Sequence, residues 1–269
     1  MNFREIIEFT DRYNFHTHTQ FCDGRASIEE MAQAAADAGF VHIGFSPHSP
    51  INIPSPCNMS LESVSQYSTE IERVRKLHEG KCLFYKGMEI DYLSPEYGPS
   101  SQIFSDFNLD YSIGSVHFIR DIKGEFVDVD GHFDSFRKKM EEYFHNDIRY
   151  VVSQFYEASN EMLNRGCFDI LGHFDKIAQN ASYYSPGIED EGWYQDIVDD
   201  YITHIIESGV IVEINTKAYV EHGRFFPNPR YWKRLADAGV TLVVNSDAHY
   251  PDRIDASRAE AFAILKTEI

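Results

Sequence analysis

The sequence predicts a parallel α/β fold, with a barrel of about seven strands favoured over a doubly wound open sheet. Three observations lead there. Short apolar runs recur along the whole 269-residue chain, amphipathic stretches separate most of them, and the runs are continuous rather than alternating. Continuous runs fit parallel strands buried on both faces. Strand–helix alternation builds parallel sheets, and seven units describe a TIM-like barrel one short of the usual eight.

The expected strands are Tyr13–Phe15, His42–Phe45, Cys82–Lys86, Tyr111–Ile113, Phe168–Leu171, Val210–Ile214 and Thr241–Val244. Ser27–Ala38 reads as a helix because Ser27 and Glu30 have capping-box spacing and Gly39 stops it. Ser60–His78 is long and amphipathic and ends at Gly80. Phe133–His145, Val151–Asn164, Trp193–Glu207 and Pro229–Ala238 also read as helices, with Gly166, Gly209 and Gly239 as stop signals. Ala256–Lys266 closes the chain. No linker, solenoid repeat or low-complexity stretch interrupts this pattern, so residues 1–269 are expected to form one domain with ample core.

Composition narrows the function. A hydrophobic fraction of 43% and an aromatic fraction of 14% describe an ordinary globular protein. The net charge of −19 repels nucleic-acid phosphates, and no dense Lys/Arg stripe offsets it. A small phosphorylated substrate remains possible, because a local cation cluster overrules the global field at short range. No apolar run spans a membrane and Met1–Arg12 lacks a signal-peptide core. Cys22, Cys57, Cys82 and Cys167 form no close pairs, as expected of reduced thiols in a cytoplasmic protein. Oligomeric state leaves no trace in the sequence.

The chemistry lies in the residues at the C-terminal end of each strand. His16 and His18, with Asp23 beyond, come after the first; His48 after the second; Glu89 after the third; His117 after the fourth; His173 after the fifth; Asn215 and Lys217 after the sixth; Asp247 and His249 after the seventh. In a parallel barrel all these strand ends meet at one rim. Imidazole suits Zn and Fe, and carboxylate suits Mn or Mg and can bridge ions. Nine donors exceed one tetrahedral site, so two or three divalent ions are expected. Any one buried His is more often a hydrogen-bonded core residue than a ligand. The joint pattern carries the inference: six of 12 His stand just past strands in this way.

His16-Thr17-His18, Phe45-Ser46-Pro47-His48, Gly87-Met88-Glu89, Ser115-Val116-His117, Gly172-His173 and Ser246-Asp247-Ala248-His249 resemble, in order and spacing, the PHP (polymerase and histidinol phosphatase) family. His48-Ser49-Pro50 and Gly172-His173-Phe174-Asp175 look most like its monofunctional histidinol-phosphate phosphatases. The resemblance implies a distorted seven-stranded barrel, (β/α)7, and a trinuclear centre of Zn, Fe or Mn. It places His16, His18, Glu89 and Asp247 on one ion, with Glu89 bridging to an ion on His117 and His173, and Asp23, His48 and His249 on the third. Many members carry acidic residues where this chain has Asn14 and Pro47; both positions are expected behind the ligands.

The expected reaction is phosphomonoester hydrolysis, with a bridging water acidified by the ions and attacking phosphorus in line. Asp247 or His249 is expected to orient that water or protonate the leaving alkoxide. Lys217, Arg224 and Arg253 are candidate phosphate clamps, His222 a candidate pocket residue, and Arg149 and Lys176 further cations; each is equally readable as a surface or structural group. The loops Pro50–Met59 and Tyr92–Pro99 are candidate covers for the leaving group. Rival readings are a PHP phosphoesterase acting on nucleotides or short oligonucleotides, a metal-dependent amidohydrolase, and a non-enzymatic metal-binding protein.

Overall fold

The computed structural model describes residues 2–268. Ten strands form: β1 (Tyr13–Asn14), β2 (His42–Phe45), β3 (Leu83–Lys86), β4 (Glu89–Asp91), β5 (Ile113–Ser115), β6 (Phe118–Arg120), β7 (Phe126–Asp128), β8 (Ile170–Leu171), β9 (Ile211–Asn215) and β10 (Leu242–Asn245). All pairings are parallel except the β6–β7 hairpin. One ladder runs β1-β2-β3 and another β10-β9-β8-β5-β4. Parallel bridges Thr17–Ala248 and His48–Glu89 connect the two ladders at either side, giving a distorted barrel.

Helices lie between the strands much as the stop signals suggest. The capping box of helix Ile28–Asp37 is present in both directions: Ser27 Oγ accepts from the Glu30 N–H and Glu30 accepts from the Ser27 N–H. Such a cap contributes about 1 kcal/mol. Helix Ile148–Arg165 begins before the expected Val151 because Asp147 caps it by accepting from the Tyr150 N–H.

Two strand expectations need correction. The fourth strand is Ile113–Ser115, not Tyr111–Ile113, because Gly114 and Ser115 hold the ladder between Ile90–Asp91 and Leu171. Polar and small residues there hide a strand that apolar content would reveal. The third run is interrupted after Lys86 and resumes as β4 beyond Gly87-Met88, carrying Glu89 inside the sheet rather than after it. The β6–β7 hairpin and the short helices Phe3–Phe9 and Ile177–Tyr184 have no counterpart among the expected elements.

Phe3, Tyr13, Phe15, Tyr111, Ile113, Ile170 and Val243 fill one end of the barrel. Full burial of such a side chain stabilises by about 1.5–3 kcal/mol. Tyr111 fits only because Gly44 and Gly87 offer no side chain: a Cβ at either would fall inside its ring's contact envelope. Its hydroxyl donates to the Phe15 carbonyl at 2.5 Å.

Candidate metal centre

His16 and His18 leave the end of β1 in extended backbone, so both rings turn to one side while Thr17 turns away and donates to the Gly44 carbonyl. His48 follows β2, Glu89 opens β4, His117 follows β5, His173 follows β8, and Asp247 and His249 follow β10. Asp247 has φ +49°, the left-handed region that a non-glycine residue adopts at a cost. Asn215 and Lys217 secure it, donating at 3.0 Å to Oδ2 and 3.2 Å to Oδ1.

The nine expected donors fall into overlapping groups whose ligand atoms lie within 4.8 Å of one another: His18, Asp23, His48 and His249; His16, His173 and Asp247; His16, His18 and Glu89; and His48, Glu89 and His117. Glu89 is the hub. Its Oε1 faces His173 Nε2 at 2.9 Å and His117 Nε2 at 3.5 Å. Its Oε2 faces His48 Nδ1 at 3.0 Å, His16 Nε2 at 3.2 Å and His18 Nε2 at 3.5 Å. His173 also groups with His16 and Asp247, a broader neighbourhood than pairing with His117 alone.

These atoms fit a cation better than they fit each other. Among the described residues, Glu89 Oε2, Asp23 Oδ1 and His48 Nδ1 are buried without a hydrogen-bond partner, although charged or polar atoms surround them. Buried polar atoms are normally satisfied. His16 Nε2 faces His18 Nε2 at 3.1 Å, and the outward partners explain why the inward nitrogens carry lone pairs. Glu213 Oε1 accepts from His16 Nδ1 at 2.7 Å, Asp91 Oδ1 from His117 Nδ1 at 2.6 Å, and the Asp247 carbonyl from His249 Nδ1 at 3.0 Å. Such carboxylate–imidazole pairs orient metal ligands.

The electrostatics agree. Burial disfavours charge on His16, but Glu213, Glu89 and Asp247 outweigh it and hold its pKa well above the ordinary value. His117 is pushed up to about 10 against burial by Asp91 and Glu89. Burial and the neighbouring His249 and His48 push His18 well below its ordinary value. Burial would raise Glu89, yet His16, His48 and His117 hold it well below the usual carboxylate range. Asp247 is held down likewise, by Lys217 and His16. The carboxylates at the centre thus stay ionised and favour positive charge beside them.

Of the expected substrate groups, Lys217 touches the donors, with Nζ 3.2 Å from Asp247 Oδ1 and 3.3 Å from His249 Nε2. Arg224 is engaged by Glu189 through two 2.8 Å bonds. Arg253 is exposed on the turn Pro251–Arg253. His222 meets the Tyr183 hydroxyl at 3.0 Å and lines, with Arg224, a cavity of about 290 Å³ that none of the nine donors borders. Arg149 stacks over Trp193. The loops expected to cover the leaving group are joined by Tyr97 donating to the Pro50 carbonyl, and Asn58 donates to Asp91 at 2.7 Å.

Asn14 and Pro47 meet the expected ligands His16 and Glu89 from behind, through main chain rather than through the imidazole or carboxylate. Asn14 braces main chain, accepting from the His16 and Ser246 N–H groups, while the Pro47 carbonyl accepts from the Glu89 N–H. The carboxylate behind His16 comes instead from Glu213. Sequence reasoning missed Glu213 and Asp91. Each had a signal: Glu213 is the one charge inside the apolar run Ile211–Asn215, and Asp91 sits two residues from Glu89, on the same strand face.

A solved chain from Listeria monocytogenes superposes on this one with a TM-score of 0.81 at 17% identity, covering 92% of this chain and 99% of its own. A histidinol phosphate phosphatase from Lactococcus lactis, solved with Zn, L-histidinol and phosphate, superposes at 0.67 with 18% identity over 95% and 93% of the two chains. In sequence, the chain is 26% identical to the histidinol-phosphatase of Bacillus subtilis over 255 residues, 87% of this chain and 92% of the relative. The sequence model of the PHP domain matches residues 14–217, so the chain belongs to the PHP domain family.

Proposed function

We propose that this chain is a metal-dependent phosphomonoester hydrolase that converts L-histidinol phosphate and water to L-histidinol and phosphate. The observation that carries the reading is the convergence of nine imidazole and carboxylate donors, with Glu89 at their hub. It is supported by the name of the Bacillus relative, matched over nearly its whole length, and by the product and phosphate bound in the Lactococcus structure. We infer that His16, His18, Asp23, His48, Glu89, His117, His173, Asp247 and His249 would hold two or three ions of Zn, Fe or Mn, with the two oxygens of Glu89 offered to imidazoles on either side. We also read β3 and β4 as one interrupted strand, which makes a seven-stranded barrel, and residues 1–269 as one domain. The free thiols fit a reducing, cytoplasmic compartment.

Bound divalent ions would supply Lewis acidity for an attacking water and for charge on the phosphoryl oxygens. The chain's own groups do the rest. Glu213 and Asp91 fix the His16 and His117 rings. Lys217 offers an ammonium to a phosphoryl oxygen beside Asp247, whereas Arg224 is taken up by Glu189 and His222 lines a cavity away from the donors. Asp247 or His249 orients the attacking water, or relays to the departing alkoxide the proton which that water loses. Leaving the carboxylates ionised and His18 neutral at the centre keeps acceptors, not protons, facing the ions.

Phosphate release from L-histidinol phosphate, compared with nucleotides, short oligonucleotides and amide substrates, tests the reading. Preference for histidinol phosphate is expected. Faster turnover of nucleotides or amides by the metal-loaded protein would overturn it.

A further inference from the structure

A second pair of charges stands beside the donors, and the chemistry above does not use it. Asp130 lies just past β7 and Lys176 just past His173. The main chain ties each to a different donor. The Val129 N–H donates to the His117 carbonyl at 2.9 Å, and the Lys176 N–H donates to the His173 carbonyl at 2.8 Å. Buried Asn180 donates at 3.2 Å to the carbonyls of both Val129 and Gly131, so the peptides flanking Asp130 are held on either side. Lys176 Nζ lies 5.1 Å from the centre of the Phe226 ring.

Lys176 Nζ is 3.6 Å from Asp130 Oδ2, with side chains 12% and 32% exposed. That separation exceeds a hydrogen bond. Among the described residues, neither the Lys176 ammonium nor the Asp130 carboxylate makes a hydrogen bond to any other group. The ammonium hydrogens and carboxylate lone pairs thus remain open, on backbone that is fixed. Burial opposes both charges, yet each keeps the other ionised, Lys176 above its ordinary pKa and Asp130 below. A ligand complementary to this pair carries an anion and a cation a few ångströms apart.

We propose that Asp130 reads a positively charged amine on the leaving group while Lys176 takes a phosphoryl oxygen, so that the pair selects phosphomonoesters of amino alcohols over those of neutral alcohols. This rests on the phosphomonoester reading above and concerns the part of the substrate that the metal donors leave unread. Asp130 is a specificity residue: it forms and breaks no covalent bond.

The test compares L-histidinol phosphate with the phosphate of imidazolylpropanol, which lacks the amine, on metal-loaded protein. Calorimetric binding of the two parent alcohols gives a readout independent of turnover. Asp130→Asn and Asp130→Ser are expected to lower the kcat/KM ratio of the two esters, and the affinity ratio of the two alcohols, by about 10–100-fold, as loss of a charge-assisted hydrogen bond does. Asp130→Glu should restore most of both ratios. Ratios in the Asn and Ser variants within about twofold of wild type would overturn the inference and leave the phosphatase reading standing. Failure of the wild type to release phosphate from either ester would remove that reading, and the alcohol-binding ratio would then decide the role of Asp130 alone.

Discussion

Phe15 and His16 are consecutive and both fully buried, one facing the apolar end of the barrel and the other the donor cluster. At the apolar end, Phe3, Tyr13, Phe15 and Tyr111 pack edge to face and stacked, and exclusion of water is itself stabilising. At the donor end, His16, His18, Glu89 and Asp247 are equally dry, and exclusion of water costs free energy unless each charge is matched. One end therefore stabilises the fold unaided, while the other depends on what it binds.

The largest break in that comparison is removal of metal. Exhaustive chelation is expected to cut phosphate release by about a thousandfold or more, and Mn, Fe or Zn to restore it; full activity in protein shown metal-free by elemental analysis would defeat the mechanism. Next, Phe15→Ala should cost about 3–5 kcal/mol in urea unfolding, whereas the metal-loaded Asp247→Asn variant should unfold near wild type and lose about 100-fold in kcat. Equal stability losses from the two changes would mean that the ends do not differ as argued.

A smaller effect is expected one layer out. Asp91→Asn should weaken metal affinity by about 10–100-fold through a misdirected His117 ring, read by competition with a chromogenic chelator. The mildest prediction concerns pH. In metal-free protein the His117 pKa rises from 6.5 to about 10, so its ion pairing stabilises the fold fully below 6.5 and is lost as pH rises through about 10. The melting temperature of the metal-free form should fall across that window. Metal-loaded protein should lack this component, and loading at pH 8 should release protons. A flat profile for the metal-free form would remove the charge matching ascribed to Asp91 and Glu89.

The same contrast explains how far the sequence is legible. Apolar strands announce themselves by composition, and β2, expected at His42–Phe45, lies there in the structure. Strands that carry the chemistry do not: β4 holds Glu89 and Asp91, which serve the site, and β5 holds Gly114, against whose backbone Phe168 and Met162 pack, and Ser115, so that all four lower any strand signal. Most donor positions stood out because they lie just beyond a strand at the same rim, although Glu89 proves to open β4. Glu213 and Asp91 stood out less, since one charge inside an apolar run or two residues from a ligand reads as a support only once the contact with His16 or His117 is known. Arg224 looked like a free cation because nothing in the sequence reveals Glu189 as its partner.

Tyr111 links the two ends, and its accommodation reaches beyond packing. Its hydroxyl holds the carbonyl immediately before His16, and its ring occupies the space that any side chain at Gly44 or Gly87 would need. Mutational drift can lengthen or exchange the loops above the rim, but at positions 44 and 87 the genetic alphabet shrinks to a single letter. Descendants of this chain can change what they hydrolyse far more readily than they can alter the floor beneath His16.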